Sequence, residues 1–515
     1  MHTNTDRPAA ALTPQIHGLL DPDDWDELRQ LGHRMVDDVM SDLSTVRDRP
    51  AWRPVPEDVR AAFRTPAPET GVGPAQAYDD FRDLVLPYPL GNTHPRFWGW
   101  VIGTGTPYGA LAEMLAAAFN PNVSGLRTAA VHVEEQVIAW MKELLHFDEK
   151  AEGLLLSGGS MANTLGLAVA VQARAEFDVA RLGLSRAPHP MVLYASRETH
   201  YSVHKAVRLL GLGDESLRLL PVDDQFRLEI PKLEAAIAAD RDQGYHPFAV
   251  VANAGTVNTG AVDDLATIAD VAERENLWMH VDGAFGAFAA LDPSVRHLVD
   301  GMERADSLAF DLHKWMCVPI ECGCLFVRDA ESHRRAFTIQ ADYLTPLPRG
   351  TAVDGGRFGN LGPQLSRSFR ALKVWLSIKA HGSEAYAAVV RRNVAQAAYL
   401  SKLVDVCDEL ERLAPTLLNV VCFRYVVSGW TDADLDELNR EITMRVQEEG
   451  IAVPSHTVLE GRFAIRVAIT NHRTREDDLD LFVAEVRRIA RDLVQRGVIR
   501  PSHSGTKPCL QDSGE

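Results

Sequence analysis

The chain has 515 residues and a formal net charge of -18, with 46% hydrophobic and 24% charged residues. That composition is ordinary for a globular protein and excludes a chain dominated by disorder. The acidic excess argues against nucleic acid and anionic membrane surfaces as partners, since both select basic patches.

Length alone points to two or three domains. No apolar run approaches the roughly 20 residues of a membrane span. The opening MHTNTDRPAAALTPQ lacks a basic flank followed by an apolar stretch, so a cytoplasmic location is expected. Asp21 and Pro22 read as an N-cap and first helical position. Trp25, Leu28, Leu31, Met35, Val39 and Leu43 then recur at helical spacing. The Pro- and Gly-rich stretch that follows has little core of its own, so residues 1–90 read as a helical arm laid across the main body or a partner subunit.

Asn92 to Val101, NTHPRFWGWV, gathers His94, Phe97, Trp98 and Trp100 at a Pro-marked turn, as either pocket lining or core. A helix from Val133 to Leu145 leads to LLLSGGSMAN: a short apolar run, then Ser157 to Ser160 with two glycines, then a helix. Strand, glycine turn and helix start aim backbone amides at one point, which favours a phosphate. A plain tight turn would have the same composition, and neither dinucleotide nor P-loop spacing is met.

Strands MVLYAS, FAVVANAGT and LWMHVDGAF then alternate with helices, and SLAFDLHKWM carries a further strand that delivers His313 and Lys314. Continuous apolar strands separated by helices of ten or more residues predict an α/β fold with a mostly parallel sheet, whose ligands bind beyond the carboxyl ends of the strands. Cys317, Cys322 and Cys324 read as buried thiols, because no cysteine or histidine pair of matching spacing accompanies them; no metal is expected. Tyr343 to Gln364 has the composition of a loop. Past about residue 385 the pattern becomes α+β. It predicts a strand in LLNVVCFRY, a helix from Thr431, a strand in RFAIRVAIT, and a last helix capped by Thr474 with Asp477. The expected division is an arm over 1–90, a large domain over 91–385, a small domain over 386–500 and a disordered tail over 501–515.

Three signals converge: a phosphate-type turn, Asp282 at one strand end and Lys314 at the next. Pyridoxal 5'-phosphate asks for such groups: a lysine for a Schiff base, a carboxylate for its pyridine nitrogen, and amides for its phosphate. NTHPRFWGW, LLLSGGSMAN, ETHYSVHKA, NAGTVNTGAVDD, MHVDGAFGAF, DLHKWM and SRSFRALKVW, in this order, resemble the group II pyridoxal-phosphate-dependent amino-acid decarboxylases, the family of aromatic-L-amino-acid and glutamate decarboxylases. The resemblance spans about residues 20 to 495 and implies fold type I: a helical arm, a large domain with a seven-stranded mostly parallel sheet, a small C-terminal domain, and a homodimer with shared active sites.

Carried over, the resemblance implies that Lys314 binds the cofactor, Asp282 pairs with its ring nitrogen and Ala284 lies beneath the ring. His200 would stack on the other face and contact the substrate carboxylate. Gly159, Ser160, Met161 and His313 would serve the phosphate, with Thr256 nearby. Asp311 stands where many relatives have asparagine, and its charge would repel a phosphate. Phe97, Trp98 and Trp100 match the pocket-lining stretch and favour an aromatic or large apolar amino acid. Arg127 reads either as a surface residue or as a partner for an acidic side chain, and Arg466 as a possible carboxylate-binding arginine. The implied reaction is decarboxylation of an L-amino acid to amine and CO2.

One departure stands out. Relatives usually carry the proton donor as a loop tyrosine ahead of the SRSFR-like segment, but that count lands near Phe358, and the only tyrosine between Lys314 and Arg367 is Tyr343. Either Tyr343 or another group protonates the carbanion, or the carbanion reacts with O2 in an oxidative deamination to aldehyde. A catalytically inactive protein kept for assembly is a third reading, and retention of Lys314, Asp282 and His200 together argues against it.

Overall fold

The computed structural model describes residues 20–339, 342, 348–351 and 357–501. They form two compact units, one of Val55–Pro89 with the residues up to Val46, the other of Arg47–Pro54 with Leu90 onward. The smaller unit is helical: Trp25–Ser44, Glu57–Ala62 and Pro74–Leu84. Its first helix is capped by Asp24 rather than Asp21, because the Asp24 carboxylate accepts from the Asp26 and Glu27 amides at 2.8 and 3.1 Å. No residue of that helix is buried, and Trp25 and Met35 of its apolar stripe face solvent.

The strands of the larger unit, in chain order, are β1 (Phe97–Trp98), β2 (Glu152–Leu156), β3 (Met191–Ser196), β4 (Leu217–Leu220), β5 (His246–Asn253), β6 (Trp278–Asp282), β7 (Ser307–Asp311), β8 (Gly323–Val327), β9 (Leu410–Arg412), β10 (Val420–Tyr425), β11 (Val453–Leu459) and β12 (Arg462–Ala468). Seven of them make one sheet in the order β2-β8-β7-β6-β5-β3-β4. Only β8 runs against its neighbours, pairing antiparallel with both β2 and β7. It follows that β2, β3, β5, β6 and β7 point the same way and end at one edge. The strands read as unbroken apolar runs because helices cover the sheet. Phe310 and Phe326 meet edge to face at 4.9 Å in its centre, and burial of each ring stabilises the fold by about 2 kcal/mol.

A second sheet, β1-β11-β12-β10-β9, forms the C-terminal core with the helices Asp432–Glu448 and Glu476–Gln495. Two elements blur the expected domain limits. β1 pairs parallel with β11, so Phe97 and Trp98 belong to the C-terminal sheet. The helix Ser383–Asp405 crosses residue 385: Tyr386 and Val390 pack in the larger core, Ala397, Leu400 and Val404 in the smaller. Residues Arg47–Pro54 likewise join the larger unit, through the Ala51 amide to Gly450 O at 2.8 Å and Arg47 to Asp478 at 2.6 Å.

Thr431 opens its helix with a capping box to Asp434, as expected. Thr474 does not open the last helix. Its hydroxyl accepts from the Trp98 indole at 3.1 Å and donates to Pro95 O at 2.7 Å, and Asp478 caps from inside the first turn instead.

Burial pushes the imidazoles of His94, His280 and His333 down to about 4 and that of His472 down to about 3. An unfolded chain holds these rings near 6.5, so below that pH it binds more protons than the folded chain. Stability is therefore fully present above about pH 6.5 and falls as the pH drops towards 4. We expect the denaturant midpoint to be lower at pH 5 than at pH 7.5; equal midpoints would contradict this account of the histidines.

Candidate active site

The common edge of the parallel strands opens into a cavity of about 490 Å³. Each wall is a strand end or the turn after it. Ser157 to Met161 follow β2, His200 and Tyr201 follow β3, Asn253 and Thr256 close β5, Asp282 and Ala284 close β6, and Asp311, His313 and Lys314 close β7. Residues spread over about 160 positions of sequence thus meet because each ends a strand of one sheet.

The glycine turn is shaped by the antiparallel strand. In register, Gly323 of β8 stands opposite both Leu156 and Asp311. A Cβ at Gly323 would lie 2.5 Å from Gly158 Cα and 2.6 Å from Asp311 Oδ1, so only glycine lets the turn approach Asp311. The helix Gly159–Arg174 begins there, with Gly159 and Ser160 as its first two positions, whose amides have no partner within the helix. The Met161 amide is spent on Gly158 O at 3.0 Å, so it is not free at the turn as expected.

Lys314 extends its amine into the cavity, with Nζ 3.2 Å from Asp311 Oδ2. Asp311 Oδ1 is buried and has no hydrogen-bond partner. The structure thereby gives Asp311 a local role, orienting the lysine, and leaves one acceptor oxygen in the glycine cradle that a protonated phosphate oxygen can satisfy. Asp282, buried at the end of β6, accepts from Asn163 Nδ2 at 2.7 Å and from the Ala284 amide at 3.1 Å. His200 caps the helix Tyr201–Leu209, its Nδ1 lying 2.8 Å from Ser202 Oγ. Burial lowers the pKa of His200, with Asp282 partly opposing, and burial also lowers that of His313, so both rings are neutral at pH 7. An amine, a carboxylate, a neutral imidazole and a small-residue cradle lining one cavity are the donor set that pyridoxal phosphate requires, and the residues present fit the group.

Of the three aromatic residues expected to line a pocket, only Trp100 does so. Phe97 packs with Ala51 and Val453, and Trp98 is buried against Phe482 with its indole bonded to Thr474. Because β1 joins the C-terminal sheet, its two rings point to opposite faces of that sheet, Phe97 against Ala51 and Val453 and Trp98 into the C-terminal core. Arg466 does not line the cavity either. It is buried, and its guanidinium donates to Trp100 O, Asn258 O and Ser455 Oγ, which holds the Trp100 turn in place. Arg127 is exposed and away from the cavity.

Phe358 is buried, with the Arg367 guanidinium 5.0 Å from its ring, so it presents nothing to the cavity. Tyr343 lies outside the described residues. Sequence reasoning passes over Asn163, Ser202, Tyr201 and Asn253, although each sits inside or beside a motif that it singles out. The signal for Asn163 is its place one helical turn beyond Gly159, which sets it under the turn and facing β6. Among the described residues no cluster of three or more His, Cys, Asp or Glu is arranged to hold a metal ion, and no helix is long and apolar enough to cross a membrane.

The family model described as "Pyridoxal-dependent decarboxylase conserved domain" matches residues 56–426. The aromatic-L-amino-acid decarboxylase of Bacillus atrophaeus is 32% identical over 473 residues, covering 91% of this chain and 96% of that protein. The phenylacetaldehyde synthase of Arabidopsis thaliana is 31% identical over 471 residues, covering 89% and 94%. A crystal structure of Oryza sativa TDC with PLP and tryptamine superposes with a TM-score of 0.84 at 27% identity, covering 92% of this chain and 99% of that one.

Gly323→Ala tests the cradle directly. The added carbon must displace Gly158 or Asp311, an overpacking cost of about 1–3 kcal/mol, so the dissociation constant for pyridoxal phosphate is expected to rise about tenfold. Unchanged affinity in equilibrium dialysis would show that the turn does not serve the phosphate.

Proposed function

Since this chain belongs to the pyridoxal-dependent decarboxylase family, and so is an amino-acid carboxy-lyase with pyridoxal 5'-phosphate as its cofactor, we propose that its substrate is an aromatic or large apolar L-amino acid, converted to the amine and CO2. The observation that carries the reading is the convergence of Lys314, Asp282 and His200 on one cavity whose mouth is aromatic. Trp100 and Tyr201 are both more than half exposed, and the Tyr201 ring centroid is 4.2 Å from that of His200. Two such rings favour a flat apolar side chain over an acidic one. The relatives named for aromatic amino acids agree with this choice.

When bound, pyridoxal phosphate supplies an electron sink for the bond that breaks at the α-carbon. Lys314 would hold it through its amine, which Asp311 Oδ2 orients from 3.2 Å. Asp282, its two oxygens already fixed by Asn163 and the Ala284 amide, would serve the ring nitrogen as an acceptor. His200, neutral through burial, meets the substrate carboxylate with an N–H instead of a full charge, which orients the group without making its departure costly.

A second reading is carried by Phe358. Its ring is buried against Arg367 and Arg357 where a proton-donating tyrosine is expected. If no other group delivered the proton, the decarboxylated substrate would be oxidised by O2 and, with water, would give aldehyde, ammonia and hydrogen peroxide, an aldehyde product being what the name of the Arabidopsis relative states. The functional unit in this proposal is a homodimer with shared active sites. Met114, Leu115 and Phe119 on one helix, together with Ile320, are exposed apolar residues that a second copy would cover. A cytoplasmic setting is part of the same reading, supported by five free thiols among the described residues.

The deciding experiment incubates the purified protein with each of the twenty amino acids and with dihydroxyphenylalanine, with and without O2, while amine, aldehyde and peroxide are followed. Amine from aromatic substrates in both conditions is the expected result, and Tyr343→Phe then tests the proton donor. Aldehyde and peroxide that require O2 would replace the first reading by the second. Faster turnover of glutamate or aspartate than of any aromatic substrate would sink the substrate assignment. Sedimentation at twice the chain mass is expected; a monomer with full activity would remove the shared site.

A further inference from the structure

The side chain that holds Asp282 is itself the end of a buried line of hydrogen bonds. Asn163 Oδ1 lies 3.0 Å from His280 Nε2, and His280 Nδ1 lies 2.8 Å from Ser307 Oγ. Ser307 Oγ in turn receives the Trp278 indole N–H at 2.7 Å. All four side chains are buried. Space for the imidazole is made by Gly166 of the helix opposite, where a Cβ would come within 2.7 Å of the ring.

The two ends of the line permit one direction only. An ionised carboxylate can only accept and an indole can only donate. Asn163 must therefore turn its NH2 to Asp282 and its carbonyl to His280, which puts the imidazole proton on Nε2. The bare Nδ1 then takes the Ser307 hydroxyl proton, while Ser307 accepts from Trp278. Burial keeps His280 neutral, with its pKa down at about 4, as this arrangement demands.

At Asn163 the line forks. The same Nδ2 donates to Ser202 Oγ at 2.9 Å, which frees the Ser202 hydroxyl proton for His200 Nδ1 at 2.8 Å. The Ser202 amide points at the same nitrogen from 3.3 Å. His200 Nδ1 is thus an acceptor, and the proton of the neutral ring sits on Nε2.

We propose that Trp278, Ser307, His280 and Asn163 are positioning residues that form a one-way hydrogen-bond relay with two outputs, holding Asp282 as an acceptor towards the cofactor and, through the Ser202 hydroxyl, reinforcing the amide that keeps the proton of His200 on Nε2 towards the substrate. The relay couples the two groups on either side of the cofactor through one amide. The targets of its outputs rest on the proposed reaction; the tautomer of His200 does not.

The test is ¹⁵N-histidine NMR on the full-length protein, with and without pyridoxal phosphate, the His200 signals being assigned by their loss in His200→Asn. Wild type is expected to show His200 with an unprotonated Nδ1 and a protonated Nε2. Ser307→Ala and His280→Leu interrupt the line, so the dissociation constant for pyridoxal phosphate should rise roughly tenfold or more, while His200, whose Nδ1 still faces the Ser202 amide, keeps its tautomer. His280→Gln retains one acceptor and one donor and should keep the affinity close to wild type, a rescue that mere filling of space would not produce. Should the His280 variants fail to fold, Ser307→Ala, which removes a single hydroxyl, decides. An unchanged cofactor affinity in Ser307→Ala overturns the relay, and a wild-type His200 protonated on Nδ1 overturns its Ser202 branch. Wild-type protein that forms no amine yet shows the expected tautomers would sink the proposed reaction while leaving the relay standing.

Discussion

Asp282 is only 5% exposed at the end of β6, and a carboxylate so placed is costly unless donors surround it. Much of the site answers that constraint. The Ala284 amide turns back onto one oxygen, which sets the tight turn after β6, and Asn163 reaches the other from the helix behind the glycine turn. The same helix has Gly159 near its start for the approach to Asp311 and Gly166 one face further on for the His280 ring. One buried charge therefore dictates residue choice on two strands and a helix, and the line of donors reaching it ends at Trp278 in the sheet interior.

The second organising feature is the direction of β8. Because it alone runs antiparallel, β2 shares the direction of β7 without being its neighbour, and the glycine turn after β2 comes to lie across Gly323 from Asp311 and Lys314. A parallel strand in that position would present its carboxyl end, with another loop, where the turn now sits. The glycine turn and the lysine are thus brought together by one reversed strand, and the ion pair of Lys314 with Asp311 keeps the amine in the cavity.

Function follows from the contrast between the two sides of this cavity. Its floor is polar and built from strand ends: amine, carboxylate, neutral imidazole and free helix-start amides. Its mouth is aromatic, with Trp100 held on a positive-φ turn by Arg466 and Tyr201 beside His200. The floor suits the cofactor for which this family is named, and the aromatic mouth is what supports the proposed substrate class.

Lys314, Asp282 and the glycine turn are legible in the sequence as candidates, because pyridoxal phosphate chemistry asks for those groups and strand ends are marked by apolar runs followed by polar residues; His200 is legible only through the family resemblance. Most strands of the large sheet are legible as well, since their continuous apolar character is a local property. Helix starts are less legible: Asp24 and Asp478 compete with Asp21 and Asp477 for the same roles, and only the path of the chain chooses between them. The fate of Phe97 and Trp98, the bridging of two cores by Ser383–Asp405, and the pairing of β1 with β11 depend on contacts between residues hundreds of positions apart, so no local pattern records them. The relay behind Asp282 lies in between. Its members all stand in the sequence as ordinary polar and aromatic residues of strands and a helix, but hydrogen-bond direction is set by what each side chain faces, and that is decided only when the sheet and the helix pack.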